Sequence, residues 1–227
     1  MKTRICVVLL LTLFLCAAGS ATTISYNTSY AGISAVHSSS VVGSLQKFNS
    51  ALGTLTSVRL TLDSTTYAGS LTWDNESDVV TDVTLEIGAE VTASTLGGLL
   101  VTTAVPLQSG SQNGVLADSD AAPDYVGGDS FGIIGNTGSD IKYTESSSAS
   151  VLTAFTASGV EYFDAYLGSV LKKTVSTTGG YGADIYTAGQ TDGIITVTYT
   201  YDPIPEPATI AILGLGLVGI LRRKLAA

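Results

Sequence analysis

Residues 57–62 read Ser-Val-Arg-Leu-Thr-Leu, a stretch in which apolar and polar side chains alternate. The same alternation recurs at 83–87, Val-Thr-Leu-Glu-Ile, and at 195–201, Ile-Thr-Val-Thr-Tyr-Thr-Tyr. Because successive side chains of a strand point to opposite faces, each stretch has one apolar and one polar face. Strands of this kind are typical of antiparallel sheets that cover a core on one side only.

Further strand candidates fill most of the chain between residues 22 and 202. They lie at 23–26, 69–73, 99–105, 151–155, 161–166 and 169–175. Thr, Val, Tyr and Ile favour strands, the Gly, Asn and Asp clusters between them favour turns, and no window of about 12 residues keeps a helical period. We therefore predict an all-β chain: a single antiparallel β-sandwich, jelly-roll-like, of roughly eight to ten strands.

Composition limits what this body can do. The chain has 227 residues and a formal charge of −9, but residues 22–202 alone carry 18 acidic and five basic residues, a formal charge of −13. An acidic body argues against binding to nucleic acid, which needs a basic face. Both cysteines, Cys6 and Cys16, lie in the first 21 residues, so the body holds neither a disulfide nor a cysteine-ligated metal.

The first 21 residues have the layout of a secretory signal peptide. Lys2 and Arg4 form a basic start, an apolar run follows at 5–15, and small residues occupy 17–21. That order predicts cleavage by signal peptidase and a mature chain that begins near Thr22. We therefore expect three parts: a signal peptide at 1–21, an extracellular β-sandwich domain at 22–202, and an anchor segment at 203–227.

The anchor segment consists of three elements in order. Pro205, Glu206 and Pro207 are followed by the uncharged stretch 208–221 and by a basic cluster, Arg222, Arg223 and Lys224. As a helix, 14 residues reach about 21 Å against a hydrocarbon layer of about 30 Å, so this is a short transmembrane helix. The basic cluster places the C-terminus on the cytoplasmic side and the body outside.

Residues 204–209, Ile-Pro-Glu-Pro-Ala-Thr, with the Leu/Gly/Ile helix and the terminal basic cluster, resemble the PEP-CTERM protein-sorting signal of Gram-negative bacteria. The resemblance covers only about the last 24 residues. It implies that exosortase, a membrane peptidase, recognises Pro205, Glu206 and Pro207 and processes the chain near them. A plain C-terminal tail anchor is the alternative.

The body resembles a second family, the choice-of-anchor E domain, in three short motifs. These are 48–58, Phe-Asn-Ser-Ala-Leu-Gly-Thr-Leu-Thr-Ser-Val, then 124–130, Asp-Tyr-Val-Gly-Gly-Asp-Ser, and the closing 197–201, Val-Thr-Tyr-Thr-Tyr. Proteins of this kind are secreted and surface-anchored in different ways. The resemblance supports the β prediction and implies no catalytic residues.

The stretch 109–143 is rich in Gly and Asp and poor in alternation, which predicts a long excursion from the sandwich. It contains four aspartates within twelve residues, Asp118, Asp120, Asp124 and Asp129. Calcium binds six to eight oxygens, often from carboxylates on a bending loop, so these side chains are candidate calcium ligands. Their spacing is not that of an EF-hand, and aspartates that only shape turns are the alternative.

A glycan-stacking site is the second candidate. Trp73, with tyrosines 125, 162, 166, 181 and 186, has the ring faces that sugars stack on; the alternative is that Trp73 and most of these tyrosines are core or cross-strand partners. His37 is the only histidine and lies near no nucleophile elbow, so we expect no enzyme. Paired carboxylates of a glycan hydrolase are a distant third possibility.

These features together predict an exported surface or matrix protein of a Gram-negative bacterium, with no required cofactor apart from the candidate calcium. We expect exosortase and signal peptidase as processing partners, exopolysaccharide or envelope components as lasting partners, and transient anchoring in the inner membrane. The expected role is structural or adhesive, in biofilm or floc. A carbohydrate-binding module that recognises matrix polysaccharide is the alternative.

Overall fold

The computed structural model describes residues 21–117 and 123–204. The predicted signal peptide up to residue 20, two of the four candidate calcium ligands, Asp118 and Asp120, and the sorting segment beyond Ile204 lie outside the described residues. No helix in the described residues is long and apolar enough to cross a membrane.

Most of the described residues lie in strands, which confirms the all-β prediction. The strands are β1 (Thr22–Ser34), β2 (His37–Gln46), β3 (Phe48–Asn49), β4 (Gly53–Asn75), β5 (Thr81–Thr95), β6 (Leu100–Val115), β7 (Ser130–Ile134), β8 (Thr137–Ser146), β9 (Thr156–Ala157), β10 (Tyr162–Thr177) and β11 (Gly182–Pro203). One helix, α1 (Ala149–Phe155), and two 3₁₀ turns, Ser50–Leu52 and Leu96–Gly98, complete the described elements.

Two antiparallel sheets make up the body. Sheet A has the order β1-β11-β4, with β7 and β8 pairing one after the other along the far side of β4, and sheet B has the order β2-β10-β5-β6. The first long strand thus pairs with the last, β2 with β10, and β5 with β6. This order is consistent with a jelly-roll-like sandwich, in which a long antiparallel ribbon wraps around one core.

The core lies between the apolar faces that the alternation predicts. Val58, Leu60 and Leu62 of β4 are fully buried, and they share one cluster with residues of β11 and of sheet B such as Val91 and Leu167. A second cluster forms around residues 68–73 of β4 and 83–87 of β5. Each cluster takes members from both sheets, which shows that the two inner faces pack together.

The longest strands give the molecule two distinct ends. Strands β4 and β11 are paired from Gly53 opposite Pro203 to Asn75 opposite Gly182. The 23 residues of β4 correspond to a length of about 70 Å. We call the end that holds Gly53 and Pro203 the root, and we call the opposite end, formed by segments 76–80, 116–117, 123–129 and 178–181, the tip.

Two predictions from the sequence were wrong. The strand expected at 151–155 belongs to helix α1, because Val151 and Phe155, four residues apart, share the buried face of a seven-residue helix. The excursion expected over 109–143 contains the end of β6, all of β7 and most of β8. Strand β8 escaped notice because the face that it shares with Ser64 and Leu62 of β4 carries Asp140 and Lys142, whereas Ile141 is exposed.

Candidate functional site

Of the four candidate calcium ligands, Asp124 and Asp129 are described, and both lie at the tip. The exposed Asp124 uses its Oδ1 to accept the N–H of Val126 at 2.9 Å, whereas Asp129 is buried and its carbonyl oxygen accepts the N–H of Asn75 at 2.9 Å. Within residues 21–117 and 123–204, no three His, Cys, Asp or Glu side chains converge as a metal site.

Asp74 is the carboxylate at the tip that sequence reasoning missed. Alternation along β4 places it on the outer face of sheet A, yet it is only 4% exposed. Its Oδ2 accepts the backbone N–H of Asp124 at 3.0 Å and that of Tyr125 at 3.1 Å, so segment 123–129 covers it. Its Oδ1 is buried and has no hydrogen-bond partner among the described residues.

The next residue, Asn75, joins the tip segments. Its side-chain amide donates to the carbonyl oxygens of Val79 at 2.9 Å and Leu116 at 2.7 Å. Its Oδ1 accepts from the N–H and the hydroxyl of Ser77. Because Asn75 is buried, these bonds satisfy polar groups that would otherwise be costly, and they fix segments 76–80 and 116–117 relative to each other.

Exposed apolar side chains lie on the tip segments. Five of them are 46% to 70% exposed: Val79, Val80, Leu116, Val126 and Tyr181. Four hydrogen bonds join the tip segments. Asn75 donates to the carbonyl groups of Val79 and Leu116. The N–H of Leu116 donates to the carbonyl of Gly128, and the N–H of Glu76 donates to that of Tyr181. We call these five residues the apolar tip.

Trp73 does not provide the exposed ring that the glycan prediction needs. It is 2% exposed and packs in the second core cluster with Leu71 and Leu85, because its position on β4 faces inward. Its ring therefore has no face open to a sugar, which is the core alternative stated above.

Two of the other predicted aromatic residues share the outer face of sheet B. Tyr162 is 61% exposed, Tyr166 is partly buried, and Asp164 lies between them on the same face of β10. The Oδ1 of Asp164 accepts the hydroxyl of Ser44 at 3.2 Å. Four residues along a strand correspond to about 13 Å between the two tyrosines. We call Tyr162, Asp164 and Tyr166 the tyrosine strip.

Ion pairs elsewhere engage the basic side chains of the body. Lys47 pairs with Glu161, Arg59 with Glu145, Lys142 with Asp140, Lys172 with Glu90, and Lys173 with Asp184. The hydrogen bond from Arg59, followed by that from Ser57, lowers the pKa of the Glu145 carboxyl. In the described residues, each of the five bases therefore pairs with an acid other than Asp74.

The comparison with protein families gives the class of the chain through its C-terminal segment. Residues 203–224 match the PEP-CTERM protein-sorting motif. The match begins at Pro203, the residue on which β11 ends. The chain is thus an exported, envelope-associated protein that exosortase sorts, as the sequence predicted.

Other comparisons add no identification. None of the curated proteins compared with the chain matches it. A chain of infectious bursal disease virus, Gx strain, is 14% identical, with 92% of this chain and 50% of that chain covered and a TM-score of 0.18. A chain of T=1 particles derived from infectious bursal virus is 12% identical, with coverages of 83% and 37% and a TM-score of 0.19. The chain thus spans half or less of these viral chains, and the scores are too low to support a common fold.

Proposed function

We propose that, once sorted, this protein serves as a structural or adhesive component of the cell surface or exopolysaccharide matrix of a Gram-negative bacterium. The observation that carries the proposal is the separation of the two ends. The sorting motif begins at the root, on Pro203, whereas the apolar tip lies at the other end of β4 and β11, a strand length of about 70 Å.

That arrangement suits display on a surface. Strand β1 also begins at the root, where Thr22 pairs with Tyr201, so both ends of the body lie beside the segment that exosortase processes. While the short helix predicted at 208–221 holds the chain in the inner membrane, the tip is the part that reaches furthest into the surroundings. Signal peptidase and exosortase then complete maturation.

The chemistry of the tip suits adhesion better than catalysis. Clustered exposed apolar side chains are typical of surfaces that bind other macromolecules. Hydrogen bonds donated by Asn75 and accepted by Asp74 hold the supporting segments in place, so little conformational freedom is lost when a partner binds. A formal charge of −13 over residues 22–202 disfavours nucleic acid and anionic lipid and favours cation-rich matrix material. We propose a non-enzymatic role, and we retain the choice-of-anchor E assignment of residues 22–202 as a proposal.

A triple substitution tests the adhesive role. In V80S/L116S/Y181S, three exposed side chains of the apolar tip become polar without any change in the core. The matched control, L100S/I141S/V170S, changes three equally exposed apolar residues that lie away from the tip. We expect the matrix of the producing cells to retain the tip variant several-fold less than wild type, while the control is retained normally. Equal retention of all three proteins would contradict the proposal.

A carbohydrate-binding role is the second candidate, and the tyrosine strip favours it. Two rings about 13 Å apart, with a carboxylate between them, can stack on sugars of one extended glycan while Asp164 accepts hydrogen bonds from the sugar hydroxyl groups. A glycan array probed with the exported protein should then show selective signals that Y162A/Y166A abolishes. A tip-mediated structural protein should give no selective signal, so the array separates the two roles.

A further inference from the structure

We propose that Asp74 is a ligand of a calcium ion bound at the tip, between the end of β4 and segment 123–129. The inference starts from one atom, the buried Oδ1 of Asp74, which has no hydrogen-bond partner among the described residues. The proposal does not depend on the adhesive role, because a surface protein of any function could bind the ion.

The surroundings of Asp74 satisfy only half of its carboxylate. Two backbone N–H groups, at 3.0 and 3.1 Å, both donate to Oδ2. The other oxygen is removed from water, since the residue is 4% exposed. A buried carboxylate oxygen without a donor or a counter-charge is strongly unfavourable, so a further group is expected to satisfy it.

Basic side chains of the described body do not supply that group. The five ion pairs of the described residues engage Lys47, Arg59, Lys142, Lys172 and Lys173 with other acids. The described charged residues of the tip segments, Glu76, Asp78, Asp124 and Asp129, are all acidic. A cation from solution is therefore the compensation that fits the local charge.

Calcium fits the donors better than other cations. It is a hard ion that accepts carboxylate, carbonyl and water oxygens in flexible numbers and geometries. Because no three carboxylates converge within the described residues, the other ligands would be backbone carbonyl groups of segment 123–129 and water. Magnesium demands a regular octahedron and keeps most of its water, which suits a loop cover poorly.

Binding there would have a structural consequence for the tip. The amides of Asp124 and Tyr125 already dock segment 123–129 onto Asp74, and Tyr125 adopts φ 61°, a left-handed conformation that is costly for a tyrosine. An ion shared by Asp74 and this segment would stabilise that conformation. It would also fix Val126, which contributes to the apolar tip.

Thermal unfolding of the exported protein, purified from producing cells and freed of metal with EDTA, tests the proposal with calcium chloride as the probe. We expect wild type to gain about 5 to 10 °C at a calcium concentration about 100 times Kd, and magnesium to give a smaller shift. The D74N variant keeps the acceptor for both N–H groups but loses the charge. It should unfold no earlier than wild type in EDTA and gain little from calcium.

D78N is the matched control, because it removes one exposed acidic charge at the same tip and should respond to calcium as wild type does. Reversal of the stability order of wild type and D74N between EDTA and calcium would support Asp74 as the ligand. An unfolding temperature of wild type that does not change with calcium would overturn the proposal. A full calcium response in D74N would overturn it equally.

Discussion

Two buried tyrosines of the same core should respond in opposite ways to loss of the hydroxyl group. Tyr199 is fully buried, and its hydroxyl donates to the carbonyl oxygen of Gln46 at 2.9 Å. The hydroxyl of Tyr30 is also buried but makes no hydrogen bond within the described residues. The hydroxyl groups of Ser64 and Thr191 lie near Tyr30; that of Thr191 accepts from Thr66, and that of Ser64 shares a hydrogen bond with Thr103.

The expected magnitudes follow from these contacts. Tyr199→Phe removes one hydrogen bond and leaves the Gln46 carbonyl without that donor, which costs about 1 to 2 kcal/mol of unfolding free energy, or about 2 to 8 °C in Tm. Tyr30→Phe removes a buried polar group that has no partner, so the free energy of unfolding should stay the same or rise by up to about 1 kcal/mol. Neither change alters the packing of the rings.

Alkaline pH provides a second measurement on the same pair. Burial raises the pKa of Tyr30 to about 12, and burial also raises the pKa of Tyr199. An unfolded tyrosine titrates near 10, so the unfolded chain loses protons first as the pH rises. The stabilisation by the neutral phenols is thus fully present below pH 10 and is lost as the pH rises to about 12, and Tyr30→Phe should reduce this loss.

Urea unfolding followed by the fluorescence of Trp73, the single tryptophan, measures these effects in the exported protein at pH 7 and at steps from pH 9 to 12. A Tyr30→Phe variant destabilised as much as Tyr199→Phe would refute the reasoning, because it would mean that the Tyr30 hydroxyl has a partner in the folded protein. An unchanged unfolding free energy in Tyr199→Phe would refute the claim that the hydrogen bond from Tyr199 to Gln46 stabilises the fold.

Three further predictions concern the core, the tip and the surface. Leu62→Ala, at a fully buried position facing sheet B, should lower the unfolding free energy by about 2 to 5 kcal/mol in the same urea assay; a loss below 1 kcal/mol would contradict the packed interface. Asn75→Ala should accelerate amide hydrogen exchange in segments 76–80 and 116–117 while β8 stays protected; uniform acceleration would indicate global destabilisation instead. Glu145→Gln should leave the urea midpoint nearly unchanged, because the ion pair between Glu145 and Arg59 is exposed. The pKa of the Glu145 carboxyl is lowered in the folded protein, so its small stabilisation is present at neutral pH. That stabilisation should vanish as the pH falls through the pKa of the folded carboxyl.

The sequence predicted most strands because the core follows a local rule. Positions such as Leu60, Leu85 and Val197 face inward and are buried, and alternation alone reveals this. Strand β8 and helix α1 were missed because neither shows such a local pattern in the sequence. The face that β8 shares with Ser64 and Leu62 of β4 is polar at the edge of sheet A, and α1 is too short for a helical period to appear.

The tip was only partly predictable, because its chemistry depends on contacts between distant segments. Asp124 and Asp129 stand out in a Gly- and Asp-rich stretch, whereas Asp74 looks like an outward-facing strand residue. Its burial arises only when a segment some 50 positions further along the chain covers it. The sorting motif, in contrast, is a contiguous signal read by an enzyme, and for that reason its identification needed no tertiary structure.

The intact mass of the protein from producing cells, with and without a functional exosortase, tests the central claim most directly. The account predicts that exosortase removes the C-terminal segment near residues 205–207, so that Arg222, Arg223 and Lys224 are absent from the mature protein. Without exosortase, the same residues should remain attached. A mature protein that retains residues 222–227 in cells with active exosortase would contradict the account.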